Sequence, residues 1–443
     1  MVLRWETPPS QHPDTNHREL EALFHFRENL LDCTCSTWDM NVWHRLVLPM
    51  STNEPIVRHA VVALGSLSRP GSVGDAFGLQ QYGLAMKGLQ GKIAAGSSPS
   101  LHLTLVACLL FVAIEFVQQG LEQAHFHLQG GLSILRENQE APAASSTSKL
   151  NGDFAQLQQL FSRLDNQKSL FTSSRVQLNR AMGNGRMAFL PAEIHLKSIE
   201  DAGKLQNLQI SAMRELVCEV ESQRFTPEDI TPANYAELEV QLGRQLVSLG
   251  RWHTAMQDCI ARVSNARELR VGRLLMMSHL CCRMMVSNAL NDGREVHLDR
   301  FMPEFEQILD LGAEVLKAED DSPRPGQRRF SLDIGIIAPL YFTALKCRDP
   351  ALRRKAIELL RASNSQEGTW DSCLMADLAG RILDVEERGL VDPSSADDVT
   401  EENRLWRAWF DLRKGSDVLY CMRRAFEQDG QWLQYEEYVG EQT

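Results

Sequence analysis

This chain has no surplus of positive charge. Its 46 Lys and Arg stand against 58 Asp and Glu, leaving a net charge of −12. Such a balance argues against a stand-alone nucleic-acid binder, whose electrostatic footprint is basic. The N-terminus, MVLRWETPPSQHPD, lacks the apolar core of a secretory signal. No disulfide framework is visible in the ten cysteines, which are scattered, with Cys33 and Cys35 one residue apart and Cys281 next to Cys282. The expectation is reduced, mostly buried thiols in an intracellular protein. Zinc spacing is missing too: Cys33-Thr34-Cys35 has no second pair at ribbon distance, and neighbours 281 and 282 cannot share one helix face. Neither a GxxxxGK[ST] phosphate loop nor a GxSxG elbow occurs, and Gly130-Gly131 lies inside a helical pattern rather than after a strand. Period-two alternation is absent before the C-terminal tail. No metal and no cofactor is expected.

What the chain does have is one stretch apolar almost all the way round, LHLTLVACLLFVAIEFV at 101–117. Seventeen residues with an acid near the end is short for a bilayer span, which needs about 20 mostly apolar residues. A helix that is hydrophobic on every face and not in lipid must be wrapped by other helices. The following QQGLEQAHFHLQGGLSILRE puts a turn at Gly120 and then an amphipathic helix. Hydrophobic residues make up 43% of the chain, enough for a sizeable core. The predicted class is all-α: a large helical domain of successive antiparallel helix pairs around a buried central helix. No strict repeat period exists, so this is not a tetratricopeptide array.

The length, 443 residues, corresponds to two or three domains. Residues 1–17 form a polar, proline-containing arm, and 18–137 an N-terminal helical part that includes the central hairpin. Its helix from NEPIVRHAVVALGSL at 53–67 has Asn53 placed as N-cap and Pro55 in the first turn. Gly65 in that helix signals a second helix packed close. A small-residue linker covers 138–152, a middle helical part 153–316, a second polar linker 317–329, and a C-terminal helical part with a Trp-rich tail 330–443. The tail is expected to end in short strands or a helix. Within 350–363, Leu352, Ala356, Leu359 and Leu360 read as the buried stripe, Arg354 and Glu358 as a surface i,i+4 pair, and RRK at 353–355 as a solvated face.

On the central helix, Thr104, Cys108 and Glu115 fall in one narrow sector of the wheel. A buried carboxylate is costly unless paired, and Arg58, His59, His125 and His127 are the available partners on neighbouring helices. These seven residues form the candidate polar seam. It reads either as a ligand pocket, with Glu115 as a general base, or as a hydrogen-bonded contact that fixes helix packing. His125 and His127 point about 200° apart on a helix and do not make a metal pair.

Four stretches in order resemble one family: LFHFRENLL and the segment ending Val42-Trp43 within 23–43, NEPIVRHAVVALGSL at 53–67, LTLVACLLFVAIEFVQQGLEQAHFHLQGGLSIL at 103–135, and IIAPLYFTALKCRDPALRRKAIELLRASNSQEGTWDS at 336–372. FSRLDNQKSLF at 161–171 fits the same pattern. Together they resemble the regulatory region of fungal-specific transcription factors, which usually carry an N-terminal binuclear zinc cluster; the resemblance spans roughly residues 19–390. It implies fungal origin, a nuclear location, and regulation through protein partners, either the transcription machinery or a DNA-binding factor, with a metabolite as further ligand. The chain departs from the family in lacking the six-cysteine module with its basic neighbours. The expectation is therefore that this chain does not bind DNA specifically by itself, the module being either encoded upstream or missing from this member. The competing expectation is a small-molecule-binding protein or enzyme of secondary metabolism built on the same scaffold.

Overall fold

The computed structural model describes residues 17–30, 42–69, 74–95, 100–140, 148–169, 193–225, 232–289, 291, 294–320, 328–333, 335–410, 418–425 and 431–438. Cys33 and Cys35 lie outside them. The helices are α1 His17–His25, α2 Leu48–Asn53, α3 Pro55–Leu67, α4 Ala76–Ala94, α5 Leu101–Val117, α6 Leu121–Glu140, α7 Ser148–Ser169, α8 Ile199–Phe225, α9 Pro232–Ala261, α10 Ala266–Ala289, α11 Met302–Asp320, α12 Ile337–Lys346, α13 Pro350–Ser363 and α14 Ser372–Glu386. The strands are β1 Arg329–Ser331, β2 Ser365–Glu367, β3 Trp370–Asp371, β4 Arg407–Phe410, β5 Val418–Ala425 and β6 Gln431–Tyr438. The chain is thus predominantly helical. It divides into two compact units, Met1–Leu164 and Asp165–Thr443. No helix among the described residues is long and apolar enough to cross a membrane.

In the first unit α5 is wrapped as its composition demands. Thirteen of its seventeen residues are buried, and the exceptions are Leu101, His102, Thr104 and Glu115. The three polar side chains are thus among the four that retain contact with water. Ser100 starts the helix by accepting from the Leu103 N–H at 3.2 Å. α3 lies against α1, α4 and α5, and α6 runs back along α5. Gly65 makes the first of these contacts: a Cβ there would stand 2.2 Å from the Ala22 carbonyl oxygen of α1. Gly131 has the same use, since its Cβ would meet the Phe161 ring of α7 at 2.2 Å. Gly131 is therefore a packing notch within a helix, whereas a Cβ at Gly130 would meet nothing within 4 Å. Glu54, not Asn53, occupies the cap position of α3, and the Asn53 amide instead donates back to the Pro49 carbonyl at 3.3 Å.

The turn after α5 differs in detail from the expected glycine turn. Gln119 takes the left-handed conformation, with φ of 60°. The Gln119 N–H reaches Phe116 O at 3.0 Å, and the Gly120 N–H reaches Glu115 O at 2.8 Å, closing a Schellman motif. Gly120 is needed for room, because a Cβ there would lie 2.3 Å from Glu115 Oε2.

In the second unit α8, α9 and α10 pack pairwise, and α10 continues onto α11. α12, α13 and α14 close a core centred on Leu340, Phe342, Ala356, Leu360 and Ala379. β1 pairs in parallel with β2, and β2 antiparallel with β3, between these helices. The Trp-rich tail forms strands: β4, β5 and β6 make an antiparallel meander whose Leu419 and Cys421 join the same core.

The stripe of α13 corrects the sequence reading. Arg353, Ala356, Ile357, Leu360 and Ser363 are buried, whereas Leu352 and Leu359 are only half-buried. Arg353 of the RRK run is fully buried, because Glu386 is buried opposite it. Arg354 pairs with Glu387 of the segment after α14, not with Glu358.

Candidate functional site

The centre of the seam is a tyrosine that the helical wheel of α5 could not indicate. Tyr82 of α4 places its hydroxyl 2.7 Å from Glu115 Oε1 and 2.9 Å from His127 Nε2. A phenol has one proton and the carboxylate can only accept. The hydroxyl therefore donates to Glu115 and accepts from His127, which fixes the imidazole as Nε2–H. The result is an oriented relay, His127 to Tyr82 to Glu115, across α6, α4 and α5. Phe111 braces it edge-on, with ring centroids 5.4 Å from Tyr82 and 5.2 Å from His127. Phe126, 75% exposed, stands 5.8 Å from the His127 ring at the surface end.

The electrostatics follow from burial. Desolvation holds His127 below the ordinary imidazole range, favouring the neutral ring. Burial, then the hydrogen bond and negative charge of Glu115, push the Tyr82 phenol well up, so it stays protonated. Among the described residues it is Glu115 Oε1 that takes the Tyr82 hydrogen bond, and the Glu115 residue is half-buried. The arrangement can offer an acceptor to a ligand and pass a proton shift along the relay.

Of the seven candidate residues, Glu115 and His127 are brought together, through Tyr82. Arg58 turns to Glu19 of α1 at 3.5 Å, and His59 holds Gln81 of α4 at 2.6 Å. Thr104 bonds the Ser100 carbonyl at 3.3 Å. Cys108 is buried, and desolvation pushes its thiol up to about 11. Thr104 and Glu115 share a sector but stand eleven residues apart, roughly 16 Å along the axis at 1.5 Å per residue. His125 is half-buried and lies on another face of α6 from His127. No group of three His, Cys, Asp or Glu among the described residues is arranged to hold a metal ion.

A second polar constellation, missed by sequence reasoning, lies in the second unit. Arg348 donates to Glu295 Oε2 at 3.0 Å, Glu386 Oε1 at 2.9 Å and the Leu405 carbonyl at 3.0 Å. Arg353 faces Glu386 Oε2 at 2.8 Å, and its Nε donates to Ala344 O at 3.0 Å. Lys346 bonds Glu295 at 2.7 Å and the Trp406 carbonyl at 2.9 Å. Burial opposes the charge on Glu386, but the Arg348 and Arg353 guanidiniums outweigh it and hold its carboxyl below the usual range. Arg348, Arg353, Glu386 and Glu295 are at most 3% exposed, so the network pins residues 405–406, and with them the start of β4, to α12–α14.

Residues 22–217, which include the whole relay, match the family described as the fungal specific transcription factor domain. The transcription regulator lscL of Purpureocillium lilacinum is 31% identical over 121 residues, 24% of this chain and 29% of that protein. The aspercryptin biosynthesis cluster-specific transcription regulator atnN of Emericella nidulans is 41% identical over 69 residues, 15% of this chain and 11% of that protein. The chain thus spans less than a third of the length of either relative. No solved structure matches. Residues 22–217 are thus similar to the fungal specific transcription factor domain, and both relatives are transcription regulators.

Proposed function

We propose that this chain is a regulatory protein of fungal secondary-metabolism genes, acting in the nucleus through protein partners rather than by reading DNA sequence itself. The observation that carries the reading is the family match over 22–217. The cluster-specific regulator among the relatives supports the choice of target genes, and the net charge of −12 supports dependence on a partner for DNA contact. A metabolite is sensed at the Glu115–Tyr82–His127 relay, where a half-buried acceptor and the exposed Phe126 lie on neighbouring helices.

The test is to tether the full chain to a heterologous DNA-binding module upstream of a reporter. A several-fold change in transcription is expected, and an unchanged reporter would overturn the reading. In gel shifts the isolated chain should bind duplex DNA weakly and without sequence preference. A site-specific complex of nanomolar affinity at physiological salt would contradict that.

The relay also favours a second reading, a small-molecule-binding protein or enzyme on the same scaffold. Under it, Tyr82→Phe abolishes a measurable turnover or ligand response while the tethered reporter never responds.

A further inference from the structure

The outer face of α9 lacks what a surface helix normally carries. Its inner face, marked by Leu242, Leu249, Trp252 and Met256, is at most 1% exposed and packs against α8 and α10. The line about 200° round the helix runs Ala236, Val240, Gly243, Val247, Gly250 and Thr254, and all six are exposed. Such a line is ordinarily charged or strongly polar. This one holds no charge over about five turns. Val240 and Val247 are 47% and 54% exposed.

Gly243 and Gly250 stand one heptad apart on that line. Neither takes a positive φ, and among the described residues a Cβ at either would meet nothing within 4 Å. Glycine inside a helix is destabilising relative to alanine, so nothing within this chain calls for it at either position. Gly65 and Gly131 show what a mid-helix glycine does here, each admitting a neighbour that a Cβ would block. Gly243 and Gly250 form the same kind of notch, open to the outside.

The spacing and the charges indicate what fits it. Steps of 4, 3, 4, 3 and 4 residues from Ala236 to Thr254 are those of the seam in a helix pair. Glu237 and Glu239 flank the N-terminal half of the seam, Arg244 its centre and Arg251 its C-terminal half. The first three are exposed and Arg251 is half-buried. Glu237 also accepts from Gln241 of its own helix at 2.8 Å. A second α9 laid parallel in register would set acid on acid and base on base. Laid antiparallel about the level of Gln245, it sets Val240 opposite Gly250, Val247 opposite Gly243, and Ala236 opposite Thr254. Each valine then meets a glycine notch, and Glu237 meets Arg251 twice over. Arg244 meets its own copy at the two-fold axis, which limits the affinity. A surface that is complementary to itself under a two-fold rotation is what an isologous dimer requires.

We propose that the outer face of α9 is a homodimer interface, seated antiparallel on α9 of a second copy through Val240, Gly243, Val247 and Gly250. This surface lies in the second unit and does not depend on the relay around Glu115 or on the regulatory reading.

The test is sedimentation equilibrium of the full chain between about 1 and about 200 µM, a window that reads a micromolar Kd. A reversible monomer–dimer equilibrium is expected. Val247→Glu and Gly250→Leu should each weaken it at least about tenfold. Both positions are exposed, so the helix content seen by circular dichroism should not change. Glu237→Arg and Arg251→Glu should each weaken the dimer several-fold, and the double variant should restore it, because the exchanged charges again meet their opposites. Arg244→Ala should tighten it. A monomer throughout the range overturns the proposal, whether the face is then covered by a different protein or by none. So does a dimer indifferent to Val247→Glu and Gly250→Leu. A double charge variant no tighter than either single variant overturns the antiparallel pairing and with it the proposal.

Discussion

Arg353 and Glu386, carried on α13 and α14, are both fully buried and face each other at 2.8 Å. Glu386 also receives Arg348 and the Leu405 N–H, at 2.9 and 2.6 Å. Removing one member strands the others' charge out of water. Arg353→Met and Glu386→Gln should each destabilise the second unit by about 3–5 kcal/mol, the range for breaking a buried pair. Urea unfolding read by tryptophan fluorescence measures it. A cost below 1 kcal/mol would show that the pair is not closed in solution.

Tyr82 serves two partners with one hydroxyl. Tyr82→Phe removes both bonds and should cost about 1 kcal/mol, the site being partly solvated. Glu115→Gln retains an oxygen able to accept from Tyr82 and should cost less. If the relay senses a metabolite, Tyr82→Phe should also abolish the ligand-dependent change in the tethered reporter. Equal responses from parent and variant would remove the relay from signalling.

Gly65 lets α1 approach the backbone of α3. Gly65→Ala must push the Ala22 carbonyl away from a Cβ that would sit 2.2 Å from it. Overpacking of this kind costs about 1–3 kcal/mol even though alanine favours helix. Gly91→Ala in α4, where nothing lies within 4 Å of the added Cβ, should be neutral or stabilising and is the control. A stable Gly65→Ala with an unperturbed first unit would disprove the close crossing.

Two buried groups give the second unit pH dependences of opposite sign. His279 is held well below its ordinary range by desolvation, then by His253 and Arg283. Below about 6.5 the unfolded chain takes a proton that the folded imidazole refuses, so this group removes stability as the pH falls. Burial lifts Glu367 to about 7 despite hydrogen bonds from the Gly335, Ile336 and Ile337 N–H groups. From about 4.3 up to that value the folded state holds the extra proton, so this group removes stability as the pH rises. Urea midpoints between pH 5 and 7.5 should show His279→Phe gaining on the parent toward acid, and Glu367→Gln gaining on it toward neutrality. Parallel curves for parent and variant would refute the corresponding shift.

The α5 stretch was legible without any structure, because a helix apolar on every face has few alternatives to being enclosed, and the close approach at Gly65 followed from the same local pattern. The helical class followed from 3.6-residue periodicity, a property of neighbours in the chain. Glu115 was recognisable as a carboxylate needing a partner, and His127 as one of the groups within reach. Tertiary structure decided the partner itself: Tyr82 lies 33 residues before Glu115 and carries no mark in the sequence that distinguishes it from any other buried aromatic. It likewise decided that Arg353 is enclosed, since the opposing carboxylate comes from α14, and that the Trp252 indole of α9 stacks on the His279 ring of α10. A polar residue on a helix face is solvated or buried according to what the opposite helix presents. That is a property of pairs far apart in sequence, which local periodicity does not encode.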